Sequence, residues 1–400
     1  MHRFLLLHLI LRTKVCALAV ALAFSLPSSA RVNKRRPRAH RVTSSLAAIV
    51  RGGSRAEPTY ADSTNGDSTK GEDLTIRRIA VRALGPYNGS VVIVDSRTGR
   101  ILSILNQSLA LSTGYQPCST IKVSVALAAL SEKLIEPATT IHRDHMRIDL
   151  TDALARSNNY SFANIGRELG FEKISYYARQ FGYGEIAGVN LAGERAGRFP
   201  FAPPRNGGVG MLTSFGEEVS QTPLQFAALM SAIANGGTLY SLQYPRNAQE
   251  VACFTPKVKR KLSIEEPILG VIPGLRAAVE RGTGRAARQD EPIAGKTGTC
   301  SENHIHLGWF GAFNGAGRRL VVVVLLRGGR QATGPRAAAI AGQIYRRLAE
   351  ANYLAAPSGA CPPVLPRLHY AITQVLILMS ASAILVIVWR KLKSESRSWL

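Results

Sequence analysis

Ser119-Thr120-Ile121-Lys122 is the one Ser-x-x-Lys in this 400-residue sequence, and Lys296-Thr297-Gly298 is its one Lys-Thr-Gly. A serine and a lysine three apart on a helix share a face, one turn from each other. The lysine can then take the serine's proton as the serine attacks a carbonyl. A Lys-Thr-Gly on a strand adds a fixed cation, a hydroxyl and a small residue beside which a substrate can lie. Between the two stands Ser157-Asn158-Asn159, a Ser-x-Asn that is weak alone, since Ser63-x-Asn65 and Ser301-x-Asn303 also match. Only the 157 site lies between the other two motifs.

Working outward, Ser90 to Asp95, the turn Ser96-Arg97-Thr98-Gly99 and Arg100 to Leu105 read as a β-hairpin. A long helical region follows from Ser119 to about Tyr240, interrupted by a Gly/Pro-rich stretch at 182–210. Three strand-like runs come next, Ile293 to Cys300, Leu307 to Phe313 and Leu320 to Leu326, and Pro335 to Asn352 reads as an amphipathic helix. The expected fold is α/β (α+β): a central mixed five-stranded sheet with helices on both faces and an inserted all-helical subdomain. The domain spans 85–355, with strands from Gly89.

The flanks carry other signals. Residues 1–30 read as a signal peptide or N-terminal membrane segment, with an apolar run from Val15 to Leu26 ending at Pro27-Ser28-Ser29-Ala30. Residues 31–84 read as a basic, polar linker, and 356–369 as a second, stiff linker around Cys361-Pro362-Pro363. Nineteen uncharged residues, Ala371 to Trp389, give a transmembrane helix over 370–389. Arg390, Lys391 and Lys393 then place the tail, 390–400, in the cytoplasm and the body outside. The basic cluster from Arg31 to Arg41 opposes that orientation, because it falls on the exported side. With 50 basic and 26 acidic residues the net charge is +24. The arginines are scattered and show no aromatic interleaving, so nucleic acid is set aside for an anionic lipid or wall surface.

With its motifs in this order the chain resembles the transpeptidase domain of penicillin-binding proteins, within the penicillin-binding and serine β-lactamase superfamily. The resemblance runs from about residue 88 to 350. It includes Gly170-Phe171-Glu172, Tyr177 to Gly184, Leu191 to Gly197, Ser214-Phe215-Gly216, Thr222-Pro223-Leu224-Gln225, Ala234 to Gly237, Val279 to Gly284, Ala294 to Thr299 and Trp309-Phe310-Gly311. It implies a β-lactamase/transpeptidase-like fold on the outer side of a bacterial cytoplasmic membrane. The implied activity is D,D-transpeptidation or carboxypeptidation of D-Ala-D-Ala stem peptides of peptidoglycan, with acylation by β-lactams and no cofactor or metal. Ser119 is implied as nucleophile, Lys122 as its base, and Ser157 as a bridge to Lys296 that passes a proton to the leaving amine. Asn159 would hold the acyl-side amide. Lys296, Thr297 and Thr299 would receive the terminal carboxylate, while Gly298 leaves room for substrate. The backbone N–H groups of Ser119 and Thr299 would form the oxyanion hole.

That shared oxyanion hole brings Cys118 and Cys300, the neighbours of its two members, close enough for a disulfide, an arrangement that certain class A carbapenemases also resemble. Two other readings compete. A serine β-lactamase of class A would add a Glu-x-x-Asn, which this sequence lacks, and class D enzymes and the related β-lactam sensors usually have an apolar residue where Asn159 stands. A non-catalytic wall-binding protein would have no need of all of Ser119, Lys122, Ser157, Asn159 and Lys296.

Overall fold

The computed structural model describes residues 57–136, 141–143 and 146–355. The expected leader (1–30), the first part of the first linker, the second linker, the membrane span (370–389) and the tail lie outside those residues. Among the described residues no helix is long and apolar enough to cross a membrane.

Helix α1 (Leu74–Leu84) precedes the hairpin of β1 (Gly89–Asp95) and β2 (Arg100–Leu105), and a short α2 (Gln107–Ala110) follows. A 3-10 turn, Cys118–Thr120, runs straight into α3 (Ile121–Ser131). The hairpin β3 (Ile141–Arg143) and β4 (Met146–Ile148) leads to α4 (Leu150–Ala155), α5 (Asn159–Gln180), α6 (Gly208–Phe215) and α7 (Pro223–Asn235). Then come β5 (Thr238–Ser241), α8 (Ala248–Ala252), β6 (Lys257–Lys261) and α9 (Glu265–Glu280). Strands β7 (Ile293–Glu302), β8 (Ile305–Asn314) and β9 (Leu320–Gly328) and helix α10 (Gly334–Glu350) close the domain.

Five strands form the sheet in the order β2-β1-β9-β8-β7, each on the residues the sequence indicated. The expectation of a mixed sheet is corrected: every neighbouring pair is antiparallel. Three of the four pairs are joined by tight hairpins, which permit no other direction. Both faces are buried all the same. Along β1, Val92 and Val94 join the core under the inserted helices, while Val91 and Ile93 join the core under α1 and α10. Gly-Ser-Val-Val-Ile-Val-Asp therefore reads as an unbroken apolar run because alternate residues serve two cores.

Three further expectations change. The inserted subdomain is not all-helical, since it carries the β3–β4 hairpin and the antiparallel pair β5–β6. Helix α9 was not distinguished in the sequence; Gly270, Pro273 and Gly274 interrupt its helical pattern. The linker does not extend to residue 84. From residue 57 the chain packs on the domain, and α1 starts under an N-cap in which Asp73 accepts from the N–H groups of Thr75 and Ile76. Within it Arg77, its side chain 9% exposed, pairs with Asp67 and Glu72 ahead of the helix at 2.9 Å each. Asp67 also accepts from the backbone N–H groups of Asn106 and Gln107, so this polar segment folds by buried ion pairs rather than by an apolar pattern.

Candidate active site

The turn carrying Ser119 is held from two sides. Cys118, with φ +52°, makes the bend into α3, and a non-glycine residue in that left-handed region is strained. Its sulfur is joined to that of Cys300 in β7, with the Cα atoms 5.6 Å apart. Trp309 donates its indole N–H to the Gln116 carbonyl at 3.0 Å, and Thr120 donates to the Pro117 carbonyl at 2.8 Å. Behind them Gln221, fully buried, exchanges both backbone hydrogen bonds with Tyr115 and accepts from Thr120 through its side chain.

Along β7 the residues alternate. Lys296, Gly298 and Cys300 face the nucleophile turn, and Thr297 and Thr299 face the opposite side. A side chain added at Gly298 would place its Cβ 2.8 Å from the Pro117 carbonyl and 3.3 Å from the Cys118 Cβ. The space Gly298 leaves is filled by the turn itself, which corrects the expectation that it is kept open for substrate. The hydroxyl of Thr299 accepts from the Gly334 N–H at 2.8 Å, and Thr297 shares a 2.6 Å hydrogen bond with Thr283.

Within the helical region read from Ser119 to about Tyr240, Ser157 sits in a break between α4 and α5, at φ +55°, because Asn158 caps α5 by accepting from the Ser161 N–H. The break points Ser157 and Asn159 inward at Lys122. The Lys122 Nζ lies 2.9 Å from the Ser119 Oγ, 2.8 Å from the Ser157 carbonyl, 3.2 Å from the Ser157 Oγ and 2.5 Å from the Asn159 Oδ1. Lys296 donates to the Ser157 Oγ at 2.9 Å and to the Thr297 carbonyl at 2.9 Å. The line Ser119–Lys122–Ser157–Lys296 is thus continuous.

Both lysines are fully buried. Burial lowers the Lys122 ammonium to about 6, and the charge of Lys296 pushes in the same direction. Burial alone brings Lys296 to about 7. Among the described residues no carboxylate is hydrogen-bonded to either amine; their partners are serine, asparagine and carbonyl oxygens. The rings of Phe162 and Phe215 stand 5.8 and 6.0 Å from the Lys122 Nζ and keep water from that side.

Some supporting residues had no sequence signal of their own. Ser214 donates to the Asn159 carbonyl and fixes the start of α5 against α6. The Thr283 N–H donates to the Ala155 carbonyl, so one residue ties the segment bearing Ser157 to β7. A Cβ at Gly282 would sit 2.1 Å from the same carbonyl, so Gly282 allows that approach. Ser214, Gly282 and Thr283 all fall inside stretches that carry the family resemblance. Arg281 pairs with Asp152 at the surface, away from this line.

Ser119 and the two buried lysines thus gather where the nucleophile turn meets the edge strand of a sheet backed by helices. The same fold occurs in the crystal structure of the D,D-transpeptidase domain of a peptidoglycan glycosyltransferase from Eggerthella lenta. The TM-score is 0.57 at 20% identity, over 70% of this chain and 82% of that one. Residues 89–346 match the family model of the penicillin-binding protein transpeptidase domain, and the chain belongs to that family. It is 30% identical over 310 residues to stage V sporulation protein D of Bacillus subtilis, covering 66% of this chain and 48% of the relative. With the peptidoglycan D,D-transpeptidase MrdA of Escherichia coli it shares 24% identity over 222 residues, 41% of this chain and 35% of the relative. The chain therefore spans about half or less of the curated relatives it matches.

Proposed function

We propose that this protein is a peptidoglycan D,D-transpeptidase that works through an acyl-enzyme on Ser119. The observation that carries the reading is the buried Lys122 amine, 2.9 Å from the Ser119 Oγ and lowered to about 6. A neutral amine has two N–H donors and one lone pair. The Ser157 carbonyl and the Asn159 Oδ1 can only accept, so they use both donors and leave the lone pair for the Ser119 proton. Ser119 then attacks the D-Ala-D-Ala carbonyl and forms the ester. Ser157, between Lys122 and Lys296, passes a proton to the departing D-alanine amine.

Lys296 receives the terminal carboxylate, whose charge would hold Lys296 protonated; the hydroxyls of Thr297 and Thr299, expected to share that role, lie on the other face of β7 with Thr283 and the Gly334 N–H as partners. Asn159 turns its remaining amide toward the acyl chain, and the backbone N–H groups of Ser119 and Thr299 serve the oxyanion. An amine acceptor completes transpeptidation, and water in its place makes the protein a carboxypeptidase. β-Lactams acylate the same serine. The sequence reading of the flanks puts this body outside the cytoplasmic membrane, tethered through 370–389.

Intact-mass measurement of the protein after penicillin treatment tests the reading. One adduct is expected, absent in Ser119→Ala and formed at least ~10²-fold more slowly in Lys122→Ala. An adduct that persists in Ser119→Ala removes the assignment.

A further inference from the structure

The sheet has one end that the catalytic line does not use. There the β1–β2 turn meets the β8–β9 turn, where Ser96 donates both its N–H and its hydroxyl to the Arg319 carbonyl. The chain leaves the described residues at the same place. The Arg318 N–H donates to the Leu354 carbonyl at 2.8 Å, and the Arg318 guanidinium lies 4.6 Å from the centre of the Tyr353 ring. Beside these turns a groove of about 260 Å³ opens between α7, α9 and the edge of the sheet. Its rim carries Arg276 and Arg319, and its mouth carries Leu269, 71% exposed, above Ile272.

Arginines predominate at the two turns, whereas Glu265 and Glu266 stand exposed one turn before Leu269 and Asp73 acts on Arg318. Arg97, Arg276, Arg318 and Arg319 gather around the two turns and the groove. Asp95 is buried and paired with Arg97 at 3.2 Å, and Glu291 accepts from the Asn314 amide at 3.1 Å. The exposed Asp290 shares its loop with the exposed Arg288.

We propose that this end of the domain is a docking surface for an anionic lipid bilayer, with the arginines on the headgroups and Leu269 at the interface. It rests on the reading of 370–389 as a membrane span. Fourteen residues, 356–369, separate the exit point from that span. Fully extended, fourteen residues reach at most about 50 Å. The surface nearest the exit is thus kept near the bilayer, where the exposed leucine binds by partial burial and the arginines of the turns and groove by attraction to anionic lipid. Docking in this sense also orients the site. The nucleophile turn packs at Gly298 and Cys300, roughly 20 Å along β7 from Ile293 at the docked end. Ser119 would then face away from the membrane.

Full-length protein is mixed with vesicles of phosphatidylcholine alone or phosphatidylcholine with phosphatidylglycerol, and scored by flotation and amide hydrogen exchange. The expected result is flotation with both vesicles, but slowed exchange in 265–272 and 315–319 only with the anionic ones. That protection should fade at high salt and in Arg276→Glu/Arg319→Glu, whose Ser119 should still be labelled fully by penicillin. Flotation with both vesicles and identical exchange would overturn the docking and leave the anchor. Flotation with neither would remove both. Flotation with anionic vesicles alone, lost in the double variant, would support docking and remove the anchor. Equal protection by soluble polyphosphate would assign the surface to a polyanion and overturn the lipid proposal.

Discussion

Lys122 is an amine enclosed by two aromatic rings, two serines, an asparagine and a second amine. Among the described residues no carboxylate is hydrogen-bonded to its protonated form, and burial together with the charge of Lys296 makes that ammonium more acidic than an ordinary lysine's. The sign for function is direct: the lone pair exists above about pH 6 and is lost below it. Acylation by a β-lactam should therefore rise as pH passes through about 6, measured by stopped-flow labelling. Because the charge of Lys296 adds to the effect of burial, Lys296→Met should move this acid limb to higher pH. A limb that stays in place in that variant would show that Lys296 does not act on Lys122. Both depressed amines also cost folding free energy. The folded chain binds fewer protons than the unfolded one between roughly pH 6 and 10.5, so stability rises with pH across that window.

At the scale of elements, the site is the meeting of one turn and one strand. Gly298 lets the turn approach β7, Trp309 holds its carbonyl, and the Cys118–Cys300 bond closes the contact. Replacing both cysteines by alanine should cost about 2–5 kcal/mol of stability. The acylation rate should fall with it, since Ser119 is adjacent to one bonded residue and Thr299 to the other. Thermal melts and labelling rates with and without reductant check this. Two thiols that alkylate freely in the unfolded, unreduced protein would refute the bond.

At the scale of the whole molecule, the segment from residue 57 to α1 belongs to the domain. It covers one face of the sheet together with α10, and its anchor is Arg77 between two buried carboxylates. Burial already raises the pKa of Glu72 despite the hydrogen bonds and charge it receives. Arg77→Ala would leave Glu72 and Asp67 buried without their cation, a loss of about 3–5 kcal/mol. The denaturation midpoint should drop accordingly, while penicillin labelling at low temperature keeps its one-to-one stoichiometry. An unchanged midpoint would mean that this segment is not part of the cooperative unit.

The sequence by itself determined the five strands, because alternating or continuous apolar runs bounded by turns state where a chain can be buried on a sheet. It also picked out Ser119, Lys122, Ser157, Asn159 and Lys296, which the fold joins in one hydrogen-bonded line. It could not give the strand directions, the break that aims Ser157, or the roles of Ser214, Gln221 and Thr283. Those depend on hydrogen bonds between residues far apart in the chain: 283 with 297, 214 with 159, 221 with 115 and 120. The folding of residues 57–84 was hidden for a related reason. Its stability comes from ion pairs and a cap closed by residues beyond it, and composition alone reads such a segment as solvated. The lowered pKa of Lys122 likewise exists only once distant elements have excluded water from around it.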